Sequence, residues 1–182
     1  MNFRVLMIAL TLMAPATTWA DDPATGGRPA TDPAGLRPMQ PWIAQLLADS
    51  RPQSPTLARL MRQVGARRII VYIDGLTDPS AEWDGTVRFI GAAGSYRYLR
   101  VEIRQLSAPV SAAVLAHELR HVLEVAAADV TSREGFEALY RRIGTRTPGG
   151  PGSRYDTAAA VSAGLAALRE LTGRRIGPLT TP

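Results

Sequence analysis

Cysteine is absent from the 182 residues, which excludes disulfides, thiolate metal ligands and thiol-linked lipid. Lysine is absent too. All 21 basic residues are arginine, against 16 acids, for a net charge of +5. The arginines are scattered, with no tract of five or more and no aromatic interleaving, so the pattern reads as a solvated surface and no nucleic acid is expected as a partner. No run approaches 18 apolar residues, and nothing in the chain reads as a membrane span. Histidine occurs only twice. With so few nitrogen ligands and no thiolate, a metal ion would have to be held by those two histidines together with Asp or Glu.

Both histidines fall in one stretch, Val114-Leu115-Ala116-His117-Glu118-Leu119-Arg120-His121-Val122-Leu123-Glu124. They stand four residues apart, one helical turn, with a glutamate directly after the first. The stretch sits inside a predicted helix over residues 109–128, with Pro109 in its first turn and no glycine or proline interrupting it. Ala112, Leu115, Leu119, Leu123 and Ala126 line one face. Val110, Val114, His117, His121, Glu124 and Val125 line the other. A helix apolar nearly all round is expected to be buried. On such a helix two imidazoles one turn apart can grip one cation while the glutamate points at a water beside it. The pattern is His-Glu-x-x-His, and in this helix the chain resembles the zincin metallopeptidases, in the gluzincin-like form.

Residues 1–20 read as an export signal: Arg4 gives the positive charge, residues 5–14 the apolar core, and Thr18-Trp19-Ala20 the cleavage site. Its removal takes out one arginine and no acid, lowering the net charge to +4. The expected location is periplasmic or secreted, without stable membrane insertion. Residues 21–40, rich in Pro, Gly, Ala and Thr, read as a disordered leader. Residues 41–176 then make a single domain, and 177–182 a disordered tail.

Within that domain, helices are expected at 41–48 and from Pro55, capped by Ser54 and stopped by Gly65. Strands follow at 68–73, 86–90 and 96–104, the last two joined by the hairpin link 91–95. After the motif helix, Ser132 caps a helix through Ile143 whose core face is Phe136, Leu139, Tyr140 and Ile143. A glycine-proline loop at 145–153 leads to a last helix over 155–171, ended by Gly173 and striped with Ala160, Ala163 and Ala167. The fold class is α+β: a sheet of about three strands packed on the motif helix, with further helices on both sides in sequence. The resemblance implies the same arrangement, with an edge strand near the cleft that binds extended peptide by strand addition.

The resemblance further implies Zn²⁺ as cofactor, His117 and His121 as ligands, Glu118 as catalytic base, and a peptide or protein substrate. A third ligand must be an acid. Asp156 is one candidate, although Ser153 to Asp156 also has the form of a capping box. Glu124, one turn past His121, is the other, or else it orients a histidine N–H from behind the metal. Glu134 and Glu137 fall off the apolar face of their helix and read as solvated. For the oxyanion, Tyr140, Tyr155 and Arg120 are candidates that no motif separates. The expectation is an exported zinc-dependent hydrolase of the peptidase kind. Its rival is an inactive metal-binding or envelope interaction domain that keeps the helix.

Overall fold

A computed structural model describes residues 35–147 and 154–173. The export signal, the leader as far as residue 34, the loop residues 148–153 and the tail at 177–182 lie outside them. Among the described residues the architecture is α+β, with five helices, a mixed four-stranded sheet and a two-stranded hairpin. No helix among them is long and apolar enough to cross a membrane.

Four strands rather than three make the main sheet, in the order β1-β2-β4-β3. The additional strand is β1 (Leu36–Pro38), inside the stretch expected to be leader. It pairs in parallel with β2 (Ile69–Gly75) and buries Leu36 completely. Gly35 makes this possible. It takes φ +118°, and a Cβ there would stand 2.8 Å from the Ile69 carbonyl, so only glycine lets the chain enter the sheet at this point. A three-residue strand containing proline has no periodicity of its own; its pairing partner creates it.

Two helices connect these parallel strands. In α1 (Pro41–Ser50) Pro41 opens the first turn and Ile43, Leu46 and Leu47 face the core. In α2 (Pro55–Gly65) Ser54 caps the amide of Leu57, and Leu57, Leu60, Met61 and Val64 form the buried stripe. β4 (Tyr96–Ile103) lies beside β2 in parallel, and β3 (Gly85–Ala93) pairs antiparallel with β4 at the outer edge. The turn is tighter than the expected link, only Gly94-Ser95, because a bulge after Phe89 lengthens β3 and turns Ile90 out to solvent. Along β2 and β4, alternate residues (Ile69, Val71, Ile73; Leu99, Val101, Ile103) are buried beneath the helices.

The motif helix, α3 (Ala108–Ala127), sits at the centre, in contact with β3, β4, α1, α2 and α5 (Ala158–Thr172). Its residues from Ser111 to Leu119 are all buried, as a helix apolar on both sides requires. Next, α4 (Arg133–Ile143) is capped by Ser132 through the Gly135 amide and buries Phe136, Leu139 and Tyr140, whereas Ile143 is exposed. What was expected to be loop from residue 145 begins as β5 (Thr145–Thr147), paired antiparallel with β6 (Arg154–Asp156). This hairpin moves the start of α5 from 155 to Ala158, and its cap from Ser153 to Thr157. Asp156 is therefore the end of a strand and not the first turn of a helix.

Small residues set how closely α5 approaches. Ala160, Ala163 and Ala167 are buried, and a Cβ on Gly164 would come within 3.2 Å of the Ala113 carbonyl and 3.3 Å of the His117 Cβ. At its far end, the Glu170 carboxylate accepts from Ser54 Oγ (2.6 Å), the Thr56 amide (3.0 Å) and Thr56 Oγ1 (2.7 Å), tying α5 to the start of α2.

Candidate metal centre

One turn of α3 separates His117 from His121, and both rings turn the same way: their Nε2 atoms lie 3.1 Å apart. From the end of β6, Asp156 Oδ1 completes the triangle at 3.3 Å from His117 Nε2 and 3.5 Å from His121 Nε2. A tetrahedral cation with bonds of about 2.0–2.1 Å holds its ligand atoms about 3.3–3.4 Å apart. His117, His121 and Asp156 thus form a buried group that could hold a metal ion. Both histidines are wholly buried and Asp156 nearly so.

Glu124 is not one of the three converging atoms. Its Oε2 faces His121 Nδ1 at 2.8 Å, and its Oε1 accepts from Thr157 Oγ1 at 2.7 Å. It lies behind the His121 ring, where such a bond fixes the tautomer and turns Nε2 inward. His117 has no corresponding partner for Nδ1 among the described residues.

Glu118 is fully buried, and neither carboxylate oxygen has a hydrogen-bond partner among the described residues. Space for it comes from Gly85 at the start of β3, where a Cβ would stand 2.5 Å from Glu118 Oε1 and 2.6 Å from Val114 Cγ1. Leaving a buried polar group unpartnered costs roughly 2–7 kcal/mol, so packing alone does not explain a carboxyl at this position. The sequence carries no mark of Gly85 as part of the site; only strand placement shows it.

The other expected residues are dispersed. Tyr140 is buried edge-on to the His121 ring and donates from its hydroxyl to the His121 carbonyl at 3.2 Å, so it braces α3 and does not face the centre. Tyr155 is partly buried on β6, against Gly144. Arg120 approaches Glu124 Oε1 at 3.6 Å. Glu134 is exposed and Glu137 pairs with Arg133 and Arg141 on the surface of α4, in keeping with their solvated reading. A concavity of about 310 Å³ lined by Gly35, Arg37, Arg67 and Tyr98 lies at the start of β2 and β4, away from these residues.

The charges in the cluster are strongly coupled. Burial pulls His117 below the usual histidine range despite the Asp156 bond. Burial acts in the same sense on His121, but its bonds to Asp156 and Glu124 prevail and push it up to about 9. Asp156, opposed by burial, is held down at about 2 by the two rings. Burial drives Glu118 up to about 8.

These shifts predict how pH acts on chelated protein. His121 is raised, so its contribution is fully present below 6.5 and is lost as pH rises through about 9. Glu118 prefers its neutral form in the fold, so stability also falls as pH climbs from 4.5 through about 8. Asp156 is depressed, so its contribution holds above 3.8 and is lost as pH falls through about 2. His117 is depressed, so its contribution holds above 6.5 and is lost as pH falls below that. Thermal melts of chelated protein should therefore decline as pH rises from about 6.5 toward 9. A divalent cation held by this group would reverse the slope over that upper range, because it would compete with the His121 proton and bind more tightly as pH rises.

Comparison with family models, curated proteins and solved structures finds no match to this chain.

Proposed function

We propose that this protein is a zinc-dependent hydrolase acting on peptide bonds, with His117, His121 and Asp156 holding the cation and Glu118 as the base. The observation that carries the reading is the triangle of two imidazole nitrogens and one carboxylate oxygen, 3.1–3.5 Å on a side. Its nitrogen and oxygen donors, with no thiolate, suit the catalytic rather than the structural class of zinc site. When bound, zinc would supply a Lewis acid and lower the pKa of a water toward neutrality.

The chain's own residues do the rest. Asp156 and the two neutral imidazoles fix the position of attack. Glu124 keeps the His121 ring turned toward it. Glu118 takes the proton from the attacking water and returns it to the leaving amine. For that role Glu118 must be ionised, and a cation beside it lowers its pKa from the value that burial alone imposes. β3 forms one outer edge of the sheet and starts against Glu118. In the enzymes this helix resembles, such an edge takes extended peptide by strand addition, and β3 is the strand we assign to that role.

One observation favours a second reading, a metal-holding interaction domain without turnover. His117, Glu118 and His121 are all fully buried, so a substrate would need an opening to reach them. Metal analysis and a fluorogenic peptide library separate the two. The hydrolase should contain one equivalent of zinc, cleave, and lose cleavage to a chelator. Zinc without chelator-sensitive cleavage would establish the second reading, and absence of zinc would sink both.

A further inference from the structure

We infer that Thr157 is a positioning residue that locks the metal-holding geometry of His121 to the cap of α5, acting through Glu124. The inference rests on reading His117, His121 and Asp156 as a metal centre. A threonine hydroxyl has one proton and two lone pairs, and here both kinds are in use. A lone pair accepts the Ala160 amide at 3.1 Å, which caps α5. The proton goes to Glu124 Oε1 at 2.7 Å, and Glu124 Oε2 meets His121 Nδ1 at 2.8 Å. Meanwhile the Thr157 backbone N–H donates to Asp156 Oδ1 at 2.7 Å, the same oxygen that faces both rings.

One residue therefore restrains two of the three metal-facing groups, Asp156 directly and His121 through a carboxylate. A cap accounts for the Ala160 contact but not for the bond to Glu124, which reaches 33 residues back to another helix. Arg120, the other group near that oxygen, stands at 3.6 Å, beyond hydrogen-bond distance, so Thr157 is what orients the carboxylate.

A double-mutant cycle tests this on the full mature chain, with zinc affinity read by competition against a chelator. Thr157→Val should weaken zinc by about tenfold, and Thr157→Ser, which keeps both proton and cap, should restore it. In a Glu124→Ala background Thr157→Val should cost nothing more, because its route to His121 has already been cut. A purely structural cap would lower affinity by the same factor in both backgrounds. That result, or wild-type affinity in Thr157→Val, overturns the inference.

The His121 Nδ1 proton gives a second reading in chelated protein. It should exchange slowly in wild type and Thr157→Ser, and quickly in Thr157→Val. If wild type takes up no zinc, the metal reading fails, and this resonance alone decides whether the restraint exists: equal exchange in all three removes it.

Discussion

Replacement of His117 with alanine is expected to empty the protein of zinc. Zinc held by a few side chains in a small domain contributes about 10–16 kcal/mol, so one ligand of three is worth roughly 4 kcal/mol. That corresponds to about a thousandfold in affinity, enough to turn one bound equivalent into none against a competing chelator. Metal analysis of the two purified proteins checks it, with circular dichroism to verify that the variant keeps its helices. His121→Ala and Asp156→Ala should lose zinc as well. Glu124→Ala should lose affinity by about 10–100-fold, the smaller effect of a residue that bonds a ligand from behind. Equal zinc in wild type and His117→Ala would remove the metal centre from consideration.

Glu118→Gln should behave in the opposite way: zinc retained and hydrolysis lost by about 10²–10⁴-fold, the usual contribution of a positioned general base. The exchange is nearly isosteric, so Gly85 should still accommodate it. It also removes a carboxyl that burial drives up to about 8, so the variant should melt no lower than wild type above that pH. Loss of activity together with unchanged or raised stability distinguishes a base from a packing residue. Unchanged hydrolysis would exclude Glu118 from the chemistry.

What could be read from sequence followed from range. The rings of His117 and His121 meet because four residues make one helical turn, a local rule that needs no knowledge of the fold. The all-round apolar character of α3 was legible for the same reason, as were the Ser54 and Ser132 caps and the Gly173 stop, which takes φ +62°. Asp156 was legible only as an acid ahead of a small-residue stripe. Its place at the end of β6 depends on pairing with Thr145, which no pattern announces. Thr157 was hidden behind the capping box proposed at Ser153, so its bond to Glu124 had no reason to be sought. β1 was missed because a strand of Leu-Arg-Pro exists only through its ladder with Val71 to Ile73. Tyr140, one of three oxyanion candidates that no motif separated, directs its hydroxyl at the backbone of His121, a partner that residue type alone does not reveal.

The double attachment of α5 bears on when the candidate metal centre is completed. Its Glu170 is bonded to Ser54 and Thr56, well over a hundred positions earlier, while β6 just ahead of it delivers Asp156. Contacts of such separation form late, since the intervening chain must first be ordered. A nascent chain that ended after α4 would present the two imidazoles without their carboxylate and without the restraint behind His121. A cation held by this group would then be captured only once α5 has docked, and a polypeptide ending before that helix would hold it more weakly.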